Sequence, residues 1–265
     1  MSGIEYVYSG LLARTWDIWR DDTRNWSDRN LYLSVLQRYG QPVLDIGCGT
    51  GRLLLDYLSL GIDVDGIDNA PEMLAICRQK ALALGRPAEE VEQRVLLQAL
   101  ETLDLPRRYR TVIAPSSVLQ LFFEPERVAK ALARAFEHLR PGGAFIASFG
   151  FVWRPGQALE TDWSLLFEKQ RPEDGATVRS WKREWCEPER QWWHSEQRFE
   201  VERNGVVIES ELQRHSPAHR WFTQGQAVGL YRDAGFTGVE VLHGFSGEPA
   251  APDAPVFCVL GVKPG

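Results

Sequence analysis

Three glycines at alternate positions constrain the fold of this chain more than any other feature. They lie in the stretch Val43-Leu44-Asp45-Ile46-Gly47-Cys48-Gly49-Thr50-Gly51, between a strand-like apolar run and a helix-like run that begins at Arg52. Glycine weakens strands and helices alike, so three so close together indicate a backbone that approaches a ligand or adopts dihedral angles other residues avoid. A strand, a glycine turn and a helix also point backbone N–H groups and the positive end of the helix dipole at that ligand. The stretch therefore predicts a binding site.

The spacing of the glycines discriminates between ligands. Dinucleotide-binding folds use G-x-G-x-x-G, whose third glycine allows the close helix-to-strand packing that a pyrophosphate site needs. Gly47 and Gly49 fit this pattern, but Arg52 occupies the third position. The spacing disfavours a nicotinamide-dependent oxidoreductase.

Short apolar runs alternate with helical patterns from Gln41 to Gly150, which is typical of repeated βαβ units around a parallel sheet. A helix opening at Pro125 has apolar residues at helical spacing and stops at Pro141-Gly142-Gly143. The predicted strands of this part are Val43–Ile46, Ile62–Ile67, Val95–Gln98, Thr111–Ala114 and Ala144–Phe149.

The character of the chain changes after Gly150. Residues 179–212 are rich in tryptophan, charge and β-formers, and Asn204-Gly205 is the preferred pair of a type I′ hairpin turn. A helix from about Gln224 to Ala234 and two strands, Val239–Gly244 and Val256–Val262, then return to the sheet. We therefore expect one domain over residues 1–265, with a helical lid (1–40), a core (41–150), an inserted antiparallel β cap (151–222) and a completion of the core (223–265).

Four motifs together resemble those of class I S-adenosylmethionine-dependent methyltransferases of the small-molecule branch. They are Asp45-Ile46-Gly47-Cys48-Gly49-Thr50-Gly51, Gly66-Ile67-Asp68-Asn69-Ala70-Pro71-Glu72-Met73, Thr111-Val112-Ile113-Ala114-Pro115-Ser116-Ser117 and Leu139-Arg140-Pro141-Gly142-Gly143. The resemblance implies an α/β fold with a Rossmann-like, mostly parallel sheet of seven strands, the last of them antiparallel. It also implies S-adenosylmethionine as cofactor, with S-adenosylhomocysteine as the product.

The resemblance also implies a set of cofactor-binding residues. Asp68 is the best supported, since a carboxylate can accept two hydrogen bonds from the ribose diol. One departure concerns adenine, because Ala99 stands where the family usually has an acidic residue. The full implied set is Asp45, Gly47, Cys48, Gly49, Gly51, Asp68, Asn69, Met73, Ala99, Leu100 and Ser116.

Catalytic and acceptor-binding candidates follow only from position in the predicted fold. His215 and His219 lie where the cap returns to the core, and either could act as a general base. The catalytic candidates are His215, Tyr8 and Gln120, and the substrate-binding candidates are Ser117, Trp153 and Arg220. The histidines do not have the spacing of a metal pair, so no metal is expected.

Charge and cysteine content limit the kinds of partner and the cellular location that we expect for this protein. The 30 basic and 36 acidic residues give a net charge of -6, which disfavours nucleic acid as a partner. Four widely spaced cysteines and an amino terminus without an apolar leader favour a cytoplasmic protein that neither crosses nor binds a membrane. Monomer and dimer remain open.

In-line methyl transfer needs a lone pair held near the methyl carbon in a water-poor site, and little covalent machinery. The predicted function is methyl transfer to a nitrogen or oxygen atom of a small metabolite. Two alternatives stay open: an RNA methyltransferase, and a methyltransferase-like protein that binds the cofactor without chemistry.

Overall fold

The computed structural model describes residues 7–20 and 27–265, with only the backbone of Ser27. Tyr6 and Trp26, which the sequence assigned to the lid, lie outside the described residues. The helices are α1 (Gly10–Arg14), α2 (Trp16–Arg20), α3 (Ser27–Tyr39), α4 (Arg52–Ser59), α5 (Pro71–Ala83), α6 (Ala88–Arg94), α7 (Pro125–His138) and α8 (Gln224–Asp233). The strands are β1 (Val43–Ile46), β2 (Val64–Asp68), β3 (Val95–Leu97), β4 (Tyr109–Ala114), β5 (Leu139–Phe149), β6 (Ser164–Gln170), β7 (Thr177–Glu187), β8 (Trp192–Arg203), β9 (Val206–Arg220), β10 (Thr237–His243) and β11 (Phe257–Val262).

Seven strands form the main sheet in the order β10-β11-β5-β4-β1-β2-β3. The strands from β3 to β5 pair in parallel, with Val43 opposite Val64 on one side and Thr111 on the other. β11 is antiparallel to both β5 and β10. The expected class I methyltransferase sheet is confirmed, and its strand order reverses between β1 and β4.

Helices cover both faces of this sheet. On one face α7 and α8 contribute Val128, Leu132 and Tyr231 to the core. On the other face α3 and α4 contribute Tyr32 and Leu54. Strands buried on both faces explain the nearly continuous apolar runs in the sequence.

The boundary of β5 differs from its prediction. The strand begins at Leu139, directly after α7, because Leu139 pairs with Tyr109. The backbone of Gly142 and Gly143 also bonds to Lys263 beyond β11. The helix α7 therefore ends at His138, and Pro141-Gly142-Gly143 lies within β5 and does not form a free loop.

The cap is a separate antiparallel sheet in the order β6-β7-β8-β9. Asn204 and Gly205 between β8 and β9 have φ values of 52° and 77°, which are the left-handed dihedrals of a type I′ turn. α1 packs Leu11 and Leu12 against Phe199 and Val201 of the cap. The lid, which we define as residues 7–20, therefore lies between the cap and the core.

Within residues 7–20 and 27–265, the structure contains no helix both long enough and apolar enough to cross a bilayer.

Candidate active site

A cavity of about 230 Å³ lies at the carboxyl ends of β1, β2 and β4, where the core, the lid and the cap meet. Its floor is the glycine loop and the ends of the parallel strands. Lid residues such as Trp16 and cap residues such as Lys182 form its other walls. Three segments that are distant in sequence therefore enclose one space, at the position where open α/β sheets bind ligands.

The glycine loop is held by backbone hydrogen bonds to the neighbouring strand. The N–H groups of Gly47 and Cys48 donate to the carbonyl of Ile67, over 2.8 and 2.9 Å. Gly47 has a φ of +69°, and a Cβ there would lie 2.5 Å from Val118 Cγ2. Gly51 has a φ of +86°, and its Cβ would lie 2.6 Å from Cys77 Sγ. Both positions require glycine, for dihedral and for steric reasons.

Asp68 ends β2 and connects it to the glycine loop. Its two carboxylate oxygens accept the N–H groups of Gly49 and Ala70, each over 2.8 Å. Burial raises the pKa of Asp68, while these backbone N–H groups oppose that rise. An ionised carboxylate has more acceptor sites than these two bonds use, so Asp68 can also accept from a diol at the cavity wall.

Asp45 on β1 is 1% exposed and lines the same cavity. Its Oδ1 atom is buried and has no hydrogen-bond partner among the residues that the structure describes. Burial raises the pKa of Asp45 to about 7, although the nearby Arg52 opposes the shift. A buried acceptor atom at a cavity wall suits a cationic ligand group such as an ammonium. Asp45 and Asp68 together fit the amino-acid and ribose parts of S-adenosylmethionine.

The segment after β3 borders the part of the cavity beyond Asp68. Ala99 and Leu100 line it, and the Gln98 N–H donates to the Asp68 carbonyl over 3.0 Å. Glu101, two residues past the position where an acid was expected, also lines the cavity. Its carboxylate accepts the Nε–H of Arg127 over 2.8 Å. A carboxylate, that of Glu101, therefore lies near the position of Ala99, where the family usually has an acidic residue. This carboxylate is already paired with Arg127.

The lid places aromatic rings over the glycine loop. Trp16 packs edge to face on Tyr8, with ring centroids 5.1 Å apart, and on Trp19 at 5.3 Å. The hydroxyl of Thr50 in the loop donates to Asp17 over 2.6 Å. This contact holds α2 directly against the loop.

Four cap residues and Phe151 form a further part of the cavity wall. The ring of His219 stacks on Phe151 at 4.8 Å. Desolvation, together with the positive charges of Lys182 and a protonated His215, lowers the pKa of His219 to about 3. His219 is therefore a neutral imidazole with low proton affinity. The other lining residues of the cap are Lys182, Ser195 and Gln197.

Backbone strain concentrates beside this cavity. Ser116 and Ser117 after β4 have φ values of 54° and 62°, and Phe151 after β5 has 56°. Left-handed dihedrals outside glycine cost of the order of 1–3 kcal/mol each and often occur at functional sites. Ser116 and Phe151 line the cavity.

Most of the residues expected at the site meet there. The implied cofactor set lines the cavity except for Gly51, which caps α4 and packs against Cys77. Among the catalytic candidates, Tyr8 also lines it. Their roles in binding and catalysis stay predictions.

Five of the predicted catalytic and substrate-binding residues do not line the cavity: Gln120, Ser117, Trp153, His215 and Arg220. Gln120 is fully buried and bonds the backbone of Gly150 twice and the carbonyl of Arg220 once. Gln120 therefore connects the core to the cap, and its catalytic role stays a prediction.

The remaining four have local partners or surroundings. The Ser117 N–H donates to the Ser148 hydroxyl over 3.1 Å, and Arg220 donates to the carbonyl of Phe123 over 2.9 Å. His215 pairs with Ser195 on the neighbouring strand, and burial lowers its pKa. Trp153 is partly buried with its indole N–H enclosed. Of the two histidines considered as bases, His219 lines the cavity and His215 does not.

Some lining residues were not selected from the sequence. Arg20, Glu101, Lys182, Ser195 and Gln197 come from the lid, from the loop after β3 and from the cap. Strand alternation gives Ser195 and Gln197 the same face, but it does not say which face meets the core. In the part of the chain that the structure describes, no three His, Cys, Asp or Glu side chains are placed to hold a metal ion.

Comparisons with known proteins agree with this geometry. Residues 43–143 match the family model described as a methyltransferase domain. The ubiquinone biosynthesis O-methyltransferase of Proteus mirabilis is 27% identical over 141 residues, which are 51% of this chain and 55% of that protein. The chain thus matches about half the length of this curated relative.

Two solved structures resemble nearly the whole chain. The CcbJ methyltransferase from Streptomyces caelestis has a TM-score of 0.76 at 22% identity and covers 99% of this chain and 100% of its own. CalS10, an amino pentose methyltransferase from Micromonospora echinaspora with S-adenosylmethionine bound, has a TM-score of 0.65 at 18% identity, covering 98% and 99%. At these identities the likeness concerns the fold, including the inserted cap.

Proposed function

This chain carries a class I S-adenosylmethionine-dependent methyltransferase domain, and from that premise we propose that it methylates a small metabolite, preferentially at an amine nitrogen. The family and cofactor expected from the sequence motifs are confirmed at the level of the domain. The acceptor and the atom methylated are our proposal.

The enclosed cavity carries this proposal. The lid and the cap cover the carboxyl ends of β1 and β4 and leave about 230 Å³, a space suited to small ligands. When bound, S-adenosylmethionine supplies a methyl group that is attached to a positively charged sulfur. The lone pair of the acceptor would form the new bond to the methyl carbon, and the sulfur would leave with the electron pair of the carbon–sulfur bond. Asp68 would hold the ribose and Asp45 the amino-acid part, while Trp16 and Phe151 exclude water.

The charges of the cap wall favour an amine acceptor. Lys182 forms an ion pair with Glu184 over 2.6 Å, but its charge still lowers the pKa of His219. A neighbouring positive charge favours the neutral form of a bound amine, which is its nucleophilic form. His219 can accept a hydrogen bond from such an amine, whereas a base with a pKa of about 3 is too weak to take a proton from an alcohol.

The names of similar proteins support both nitrogen and oxygen as the acceptor atom. CalS10, which shares the cap, is an amino pentose methyltransferase, whereas the relative from Proteus mirabilis is an O-methyltransferase. Methylation of a hydroxyl is therefore the second candidate.

The test is transfer of labelled methyl groups from S-adenosylmethionine to a panel of primary and secondary amines and their hydroxyl counterparts. At limiting cofactor, we expect the parent protein to form product at least about tenfold faster than Asp68→Ala, and to methylate amines faster than hydroxyls. Equal or faster transfer to hydroxyls would overturn the preference for nitrogen. Cofactor binding without any transfer would instead favour a binding protein.

RNA as acceptor is tested in the same assay. A net charge of -6 opposes binding to a phosphate backbone. Transfer of label to RNA, with an affinity that falls steeply as salt rises, would contradict the proposal.

A further inference from the structure

Phe151, the second residue after β5, presents an aromatic ring at the cavity wall. It is 54% exposed, more than any other phenylalanine in the described part of the chain. It lines the cavity, and its ring stacks on that of His219, with centroids 4.8 Å and planes 26° apart. The imidazole covers one part of the ring, and a large apolar area remains exposed beside the cavity.

The backbone of Phe151 is held in a conformation that phenylalanine avoids. Its φ of 56° lies in the left-handed region, where glycine is unstrained and a bulky residue is an outlier. The indole N–H of Trp193 donates to the Phe151 carbonyl over 2.6 Å, and Gln120 forms two hydrogen bonds with the backbone of the preceding Gly150. A bulky ring fixed from both sides at a strained position indicates that the ring itself has a function.

The cap adds a hydrogen-bond acceptor to the same cavity. Gln197 of β8 lines the cavity, and its Nε2 donates to the hydroxyl of the buried Ser180 over 2.9 Å. That bond uses the donor end of the amide, and the acceptor end, Oε1, suits an N–H group. The wall therefore combines a flat apolar surface with an acceptor for an amine.

We propose that Phe151 is a platform on which the methyl acceptor stacks, and that the acceptor is therefore an amine carried by a flat ring. This inference rests on the proposed function and adds to it the shape of the acceptor. Aromatic rings attract a second ring in offset or edge-to-face geometry, beyond the effect of burial alone. Phe151, Gln197 and His219 all lie outside residues 43–143, which match the family model, so this wall is separate from the shared domain.

The adenine of the cofactor is the other flat ring that could stack on Phe151. Titration calorimetry separates the two, first with S-adenosylhomocysteine and then with two amines added to protein saturated with it. The amines are benzylamine and heptylamine, which has the same number of carbon atoms but no ring.

The proteins are the parent, Phe151→Gly, Phe151→Tyr and the control Leu159→Gly. Glycine suits the left-handed backbone, and tyrosine keeps the ring. Leu159 is 51% exposed in the same connection between β5 and β6, and it does not line the cavity.

We expect Phe151→Gly to weaken the binding of benzylamine about threefold to tenfold more than that of heptylamine, as the loss of one ring-on-ring contact predicts. Its affinity for S-adenosylhomocysteine should match that of the parent. Phe151→Tyr and Leu159→Gly should keep the parent's ratio between the two amines. Equal weakening of both amines, or no weakening, would overturn the platform. A tenfold loss of affinity for S-adenosylhomocysteine would assign the ring to the cofactor and overturn it as well.

If Phe151→Gly does not fold, Phe151→Leu gives the same comparison, because leucine keeps an apolar side chain and loses the flat ring. A parent that binds neither amine refutes the platform. Transfer of labelled methyl groups to both amines is measured in parallel. Binding with the expected ratios but without any transfer would refute the proposed function and leave Phe151 as a binding surface.

Discussion

His219 and Asp45 show how removal from water sets the charge of individual side chains around the cavity. Desolvation lowers the pKa of His219 to about 3 and raises that of Asp45 to about 7, so both shifts disfavour the charged form. A cationic ligand group beside Asp45 would favour its ionised form. His219 stays neutral, as an acceptor of hydrogen bonds must.

The lowered pKa of His219 predicts that the stability of the folded protein depends on pH. Its pKa in the folded protein lies below the ordinary value of 6.5, so below pH 6.5 the unfolded chain binds a proton that the folded protein does not. The free energy of unfolding therefore decreases as the pH is lowered from about 6.5 to 3. His219 contributes up to about 1.4 kcal/mol per pH unit to this decrease.

Urea denaturation at pH 7 and pH 5 measures this effect. Between pH 7 and pH 5, we expect the free energy of unfolding of His219→Gln to decrease by about 2 kcal/mol less than that of the parent. His243→Gln, at an exposed position, should behave like the parent. The same loss in His219→Gln and the parent would show that the imidazole is not held neutral.

The sequence identifies those site residues whose positions are determined by a single turn between a strand and the helix that follows it. Gly47 and Asp45 lie on one short segment, and Asp68 follows a strand that pairs with β1, so local motifs suffice to place them. Arg20 and Lys182 reach the cavity only after the lid and the cap fold over the core. No local pattern encodes that approach, because the lid and the cap are positioned by contacts between residues far apart in the chain, such as Asp17 with Thr50 and Leu11 with Glu211.

At the scale of elements, the lid is attached to both the core and the cap. The N–H of Gly10 donates to Glu72 of α5 over 2.9 Å, and that of Leu11 donates to Glu211 of β9 over 2.5 Å. Asp17 adds the contact with Thr50 of the glycine loop. The lid therefore contacts all three parts of the cavity wall.

Removal of Asp17 should loosen the lid without unfolding the protein. The contacts of Asp17 with Thr50 and Lys80 are partly exposed, and such pairs contribute up to about 1 kcal/mol. We expect faster hydrogen exchange over residues 10–20 in Asp17→Ala, with little change in global unfolding. Glu240→Ala, which removes an exposed pair with Arg38, is the control. Unchanged exchange in the lid would argue against its anchoring through Asp17.

Elements with strong periodicity are predicted well, and their ends less so. The Asn204-Gly205 hairpin and the strand pattern of the core agree with the structure. The early start of β5 at Leu139 depends on pairing with Tyr109, a contact that the local Pro-Gly-Gly signal does not reveal. Boundaries are decided by the neighbouring strand as much as by local propensity.

At the scale of the whole molecule, the parallel core supplies the cofactor site, and the lid and the cap supply the enclosure. The matching family model covers residues 43–143, which include the glycine loop and Asp68 but neither the lid nor the cap. The residues that the sequence motifs imply for cofactor binding therefore all lie in the shared domain. Choice of the acceptor, in this account, belongs to the segments outside it.

We infer that the glycine loop and Asp68 hold S-adenosylmethionine. The most direct test is titration calorimetry of S-adenosylhomocysteine with the parent, with Asp68→Ala, and with Asp104→Ala as an exposed acidic control. We predict clear binding by the parent and the control, and at least tenfold weaker binding, or ~1.4 kcal/mol, by Asp68→Ala. Equal affinity in all three proteins, or no binding by the parent, would contradict the account.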